Sequence, residues 1–168
     1  LTRKELGWPH DPFDVPSDVL DAWRVAGLKS CKPRKSWEER YNAAPADTRA
    51  EFDRRLVGDL PSGFTQAITD FKKQLSADKP GWATRKASEE TLNVINAIVP
   101  ATIGGSADLT GTNNTRSKEQ KAVTADDFSG SFIHYGVREH GLAGAMNGMV
   151  LQWGLNPYSS TCMVFPDS

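Results

Sequence analysis

Residues 132–141 read Phe132-Ile133-His134-Tyr135-Gly136-Val137-Arg138-Glu139-His140-Gly141 and run on into Leu142, Ala145, Met146, Met149 and Val150. The first four residues are a short apolar and aromatic run closed by glycine, the pattern of a brief strand. The apolar residues that follow recur at i, i+3, i+4, i+7 and i+8, the spacing of one helix face. A second face, Gly141, Gly144 and Gly148, carries no side chain. Glycine inside a helix costs about 1 kcal/mol relative to alanine, so this spacing predicts the close approach of another backbone or a ligand. Tyr158–Phe165 reads as a further strand. Strand, helix and strand with short connections predict a right-handed crossover in a parallel sheet, and so an α/β fold.

Working back from this stretch, Ala101-Thr102-Ile103 reads as a strand running into Gly104-Gly105. A helix is predicted over Thr84–Val99, with Leu92, Ile95, Ile98 and Val99 on one face and Pro100 as its stop. Phe64, Ile68, Phe71 and Leu75 predict another, broken by Asp78-Lys79-Pro80-Gly81. Helices are expected over Trp37–Ala44 and Ala46–Val57. In the second, Phe52, Leu56 and Val57 form the expected buried stripe and Arg49, Asp53 and Arg54 the exposed face. Lys29–Lys35 is expected to be a basic, proline-broken linker. Ser17 is the expected N-cap of a helix carrying Val19, Leu20 and Trp23. Leu6–Pro16, with four glycine or proline residues, is an irregular lead-in, and Thr110–Thr115 a polar loop.

The two ends differ in chemistry. Residues 101–168 hold only 10 of the charged residues but nine of the 14 glycines. The front therefore reads as solvated helices and connectors, the back as a glycine-dependent α/β core. The net charge of −1 over 168 residues excludes the basic footprint of a nucleic-acid binder. Two cysteines 131 residues apart and three histidines do not make a structural zinc site. No apolar run approaches the length of a membrane span. The start, Leu1-Thr2-Arg3-Lys4-Glu5, lacks the apolar run of a secretion signal, so the expected location is cytoplasmic. Leu1 in place of Met suggests a chain cut from something longer.

In parallel sheets, ligands bind beyond the carboxyl ends of the strands. Two strand ends carry suggestive residues: Gly104-Gly105-Ser106-Ala107-Asp108, and Gly136-Val137-Arg138-Glu139-His140. Alone, Glu139 reads equally as a first-turn acid stabilised by the helix dipole, and Asp108 as a turn residue. Neither a G-x-G-x-x-G nor a Walker motif accompanies Gly104-Gly105.

Taken together, the segments resemble the transketolase family. Gly104-Gly105-Ser106-Ala107-Asp108-Leu109-Thr110, Ile133 to Gly141, and Ala145-Met146-Asn147-Gly148 match its motifs in order. So do Ala83-Thr84-Arg85-Lys86-Ala87-Ser88-Glu89 upstream, Pro157-Tyr158-Ser159 downstream, and the lead-in Leu6-Gly7-Trp8 with Pro12 to Pro16. The resemblance implies a helical inter-domain connector over 1–80. Residues 81–168 would then be the first part of a parallel-sheet domain that binds the pyrimidine ring of thiamine diphosphate. It implies transfer of a two-carbon ketol unit from a ketose phosphate to an aldose phosphate. It also implies a homodimer with the active site at the subunit interface, and a divalent metal, Mg or Ca, held by a part of the parent enzyme outside this chain. No nucleic-acid or membrane partner is expected.

The resemblance assigns roles residue by residue. Glu139 matches the carboxyl that hydrogen-bonds the pyrimidine ring nitrogen and favours the imino tautomer, the base for deprotonating the thiazolium C2 carbon. That role needs a protonated carboxyl, and so a desolvated one. Asp108 and Leu109 match positions near the cofactor, and Phe165 an aromatic packed on the pyrimidine. Arg85 matches the arginine that holds the substrate phosphate, and Thr112 stands where a serine does the same. His134 and His140 belong to the motif as structural residues.

There are departures. Cys162 replaces a phenylalanine and Ser168 a tyrosine of the aromatic pocket, and the Gly-Asp-Gly metal-diphosphate motif is missing. Two alternatives remain beside transketolase. One is a deoxyxylulose-phosphate synthase or phosphoketolase, against which the His134-Tyr135 and Arg138 context argues. The other is a non-catalytic assembly piece of a split enzyme.

Overall fold

The computed structural model describes residues 1–162. The chain divides into two compact units, Leu1–Arg49 and a second that starts at Ala50.

The first unit is helical: α1 (Thr2–Glu5), α2 (Ser17–Leu28), α3 (Cys31–Ala43) and the start of α4 (Ala46–Val57). Ser17 is the first helical residue of α2, behind Pro16, and makes no side-chain cap. The expected linker at Lys29–Lys35 is instead largely helix. Pro33 falls in the first turn of α3, where the backbone N–H it lacks has no intrahelical partner anyway. None of these helices buries a residue, and Trp23 stays 73% exposed.

In the second unit, α4 reverses its expected polarity. Phe52, Leu56 and Val57 are exposed, whereas Arg54 and Arg55 are partly buried. Glu51 accounts for this by receiving Arg54 Nη2 at 2.7 Å and Arg55 Nε at 2.6 Å. The two guanidinium groups hold the Glu51 carboxyl down at about 2. Next come α5 (Phe64–Asp78) and α6 (Thr84–Ile98), which pack on each other with their apolar stripes half-buried. Lys79, in the left-handed conformation, ends α5 where the proline and glycine require it.

Then follow β1 (Thr102–Ser106), α7 (Thr110–Asn113), β2 (Phe132–His134), α8 (Glu139–Gln152) and β3 (Asn156–Ser160). The three strands form a parallel sheet in the order β2-β1-β3. The polar loop expected at Thr110–Thr115 contains α7, one helical turn closed by Asn114 at φ 52°. The last strand starts two residues earlier than expected and takes in Pro157, opposite Ile103. Among the described strands β3 is an edge, where a missing donor is tolerated. The core sits around the sheet, in Val99, Ala101, Ala107, Phe132 and Leu142.

Gly104 and Gly105 lie inside β1 rather than in a loop, and they seat two rings. A Cβ on Gly104 would stand 2.0 Å from Cζ of Tyr158, and one on Gly105 2.4 Å from the Tyr135 ring. Successive strand residues face opposite sides, so each face of β1 carries one tyrosine. The Tyr158 hydroxyl is tied to Thr115 O at 3.0 Å, Gln120 Oε1 at 2.8 Å and Asn96 Nδ2 at 3.2 Å. This network links α6, the 115–120 loop and β3.

Candidate functional site

A parallel sheet brings its carboxyl ends to one edge, and here that edge gathers the candidate residues. β1 leads into Asp108, β2 into Glu139, and β3 into Thr161. Each turn has a local cause. After β1, Leu109 N donates to Ser106 Oγ at 3.0 Å, and Asp108 adopts φ 60°. Asparagine and aspartate tolerate that left-handed conformation better than other non-glycine residues. After β2, Arg138 Nη1 donates to Tyr135 O at 2.8 Å and braces the segment that carries Glu139.

Glu139 is the first residue of α8 and is half-buried. Its Oε1 accepts a hydrogen bond of 3.0 Å from the Thr161 hydroxyl. β2 and β3 are the outer strands of the sheet, so this bond spans the end of β1. The sequence reading missed Thr161. Its signal was a hydroxyl at the end of the Ser159-Ser160-Thr161 run, where a parallel strand delivers side chains to the ligand edge. Behind the site the Tyr135 Oη is buried without a hydrogen-bond partner among the described residues, and burial raises its pKa.

Arg85 sits in the first turn of α6, exposed and with no ion pair among the described residues. Thr112 is exposed on α7. One turn on from Arg85, Glu89 accepts a 3.3 Å hydrogen bond from Asn114 Nδ2, two residues after Thr112. This contact ties the two elements together. Lys86, beside Arg85, is engaged by Glu89 and Glu90 at 2.8 and 2.6 Å, which raises its pKa. Of the two cations in this turn, Lys86 is thus paired and Arg85 has no ion pair among the described residues.

Asp108 and Leu109 lie on the same edge of the sheet, Asp108 exposed and Leu109 half-buried. Phe165 and Ser168 lie outside the described residues; Cys162 is half-buried and carries a free thiol. The close approach expected at the glycines of α8 is not made within the described chain. A Cβ on Gly144 or Gly148 would meet nothing within 4 Å, and one on Gly141 only the Arg138 side chain at 3.6 Å. Of this mostly apolar helix only Leu142 is buried, while Leu151 is 78% exposed. Among the described residues no group of three or more His, Cys, Asp or Glu is placed to hold a metal ion. No described helix is long and apolar enough to cross a membrane.

Comparison with known proteins identifies the family. The family described as transketolase, pyrimidine binding domain, matches residues 81–167. The family described as transketolase, thiamine diphosphate binding domain, matches residues 1–61. A transketolase of Cereibacter sphaeroides is 48% identical over 98% of the chain, and one of Rhodobacter capsulatus 44% over 99%. In both cases the chain spans 25% of the relative's length. Among solved structures, a transketolase of Pichia stipitis in complex with sedoheptulose 7-phosphate superposes with a TM-score of 0.78. It is 31% identical and matches 98% of this chain and 25% of its own. Transketolase from Leishmania mexicana gives 0.72 at 34% identity, over 95% of this chain and 24% of its own. With the pyrimidine-binding family alone matching more than half of its residues, the chain belongs to the transketolase family.

Proposed function

We propose that this chain is about a quarter of a subunit that transfers a two-carbon ketol unit from a ketose phosphate to an aldose phosphate with thiamine diphosphate. The observation that carries the reading is the Glu139 carboxyl at the carboxyl edge of the sheet, with Oε1 engaged by Thr161 and Oε2 without a partner among the described residues. An unengaged carboxyl oxygen at this edge of the sheet suits the pyrimidine ring nitrogen of the cofactor. The relatives named above, all transketolases, favour this reading over a deoxyxylulose-phosphate synthase or phosphoketolase.

When bound, thiamine diphosphate supplies an acidic C2–H on its thiazolium ring and an aminopyrimidine that acts as base. The chain's own part is placement. Glu139 would turn its Oε2 toward the ring nitrogen, with Oε1 engaged by Thr161. Asp108 and Leu109 would flank the cofactor, and Phe165, outside the described residues, matches the family's aromatic at the pyrimidine. Arg85 and Thr112 take the substrate phosphate, the guanidinium as a charged fork and the hydroxyl as a neutral donor. A divalent metal, Mg or Ca, would be held by another part of the subunit, as the family resemblance implies.

The family resemblance supports a homodimer with the active site at the subunit interface. Residues 1–80 serve as the inter-domain connector and 81–168 as the first part of the pyrimidine domain. We place the protein in the cytoplasm. The test is ketol transfer between xylulose 5-phosphate and ribose 5-phosphate by the full-length subunit that carries this chain. Turnover that depends on added thiamine diphosphate supports the reading. A fully loaded, folded subunit with no transfer overturns it.

A further inference from the structure

We infer that Thr161 is a positioning residue for Glu139, fixing which carboxyl oxygen faces the cofactor. The inference rests on the reading of Glu139 given above. A glutamate side chain has three rotatable bonds, and its terminal torsion is broad and roughly two-fold, so its two oxygens exchange places easily. At the start of α8 the helix itself does nothing to distinguish them. The Thr161 hydroxyl does, by donating to Oε1 at 3.0 Å. In a protonated carboxyl one oxygen accepts and the other carries the proton. With Oε1 occupied as the acceptor, Oε2, which has no partner among the described residues, is the oxygen left to face the cofactor.

Thr161 is itself well anchored for this task. It follows directly on β3, which is registered against β1 from Thr102↔Asn156 to Ser106↔Ser160. The β-branched side chain has restricted χ1 freedom, so the hydroxyl direction follows from the backbone. The bond therefore transmits the sheet register, across the end of β1, to the orientation of the one carboxyl that the reaction needs. Thr161 touches neither reacting atoms nor substrate in this account. It acts through Glu139.

Three substitutions in the full-length subunit test this: Thr161→Val, which keeps the shape and removes the donor, Thr161→Ser, which keeps the donor, and Glu139→Gln. In cofactor-free protein, the carboxyl infrared band lost in Glu139→Gln should shift in Thr161→Val and return in Thr161→Ser. In loaded protein, Thr161→Val should slow hydrogen–deuterium exchange at the cofactor C2 by about tenfold or more, the scale of a lost hydrogen bond to a charged or reacting group. KM for the sugar phosphates should stay within about twofold, because Arg85 and Thr112 are untouched. Thr161→Ser should restore exchange. Should Thr161→Val fail to fold, Thr161→Ala is read in the same way. A wild-type band and wild-type exchange in Thr161→Val, with exchange abolished in Glu139→Gln, would overturn the role of Thr161 and leave that of Glu139 standing. Wild-type exchange in Glu139→Gln would remove both.

Discussion

The ring of Tyr158 occupies the volume that a Cβ on Gly104 would need, with only 2.0 Å between that position and Cζ. The pair locks β3 to β1 and sends Thr161 to the edge where Glu139 begins α8. The glycine pair is therefore a packing device that seats two tyrosine rings.

Gly104→Ala should destabilise the full-length subunit by about 2 kcal/mol or more, the usual cost of overpacking a filled site. Gly104→Ala should cost less in a Tyr158→Leu background than in the wild type, since the obstructing atoms belong to one side chain. Gly105→Ala should not be rescued by shrinking Tyr135, because its Cβ would also stand 2.3 Å from the backbone oxygen of Ile133. Denaturant unfolding of the single and double variants checks both statements. Equal rescue at the two positions would contradict the assignment.

The Tyr158 hydroxyl should make stability pH-dependent at high pH. Burial raises its pKa above the ordinary value of 10.0, partly offset by hydrogen bonds with Asn96 and Gln120. The unfolded chain then loses this proton first, so the folded state is penalised as pH rises. The contribution is fully present below about pH 10 and is lost above it. Tyr158→Phe should flatten the pH dependence of unfolding there. At neutral pH it should cost about 1–3 kcal/mol, because buried partners such as Gln120 and Asn96 lose a bond. An unchanged slope above pH 10 would show that Tyr158 does not couple to folding.

Much of this was legible in the sequence, for physical reasons that differ by element. α8 follows from the 3.6-residue periodicity of Leu142, Ala145, Met146, Met149 and Val150, and β2 from the apolar and aromatic run closed by Gly136. The reading failed where one interaction outweighs a local rule. Pro33 breaks a helix interior but not a first turn, so α3 continues through a basic run read as linker. Glu51 gathers Arg54 and Arg55 and half-buries them, which leaves Phe52 and Leu56 outward against their apolar pattern. Thr161 escaped the sequence reading for another reason. Its value comes from a bond to a residue 22 positions away, and only the sheet order β2-β1-β3 brings the two together.

Arg85→Ala should raise KM for phosphorylated sugars by about tenfold or more while leaving unphosphorylated ones nearly unchanged. Loss of one charge-assisted contact has that scale. The motivation is a guanidinium with no ion pair among the described residues, in the turn that Asn114 and Glu89 bring against α7. Steady-state kinetics with paired substrates checks it. Equal losses for both substrate types would assign Arg85 to the fold instead.

The central claim is that Glu139 supplies the acidic proton to the cofactor's pyrimidine, and hydrogen–deuterium exchange at the thiazolium C2 of the loaded Glu139→Gln subunit tests it most directly. Gln matches Glu in size and can still accept from Thr161, so fold and assembly should persist. It has no acidic proton to give, so exchange and turnover should both fall to a small fraction of wild type. A first-turn acid acting only through the helix dipole would change stability by about 1 kcal/mol at most and leave exchange intact. Exchange at the wild-type rate in a folded, cofactor-loaded Glu139→Gln subunit would contradict the account.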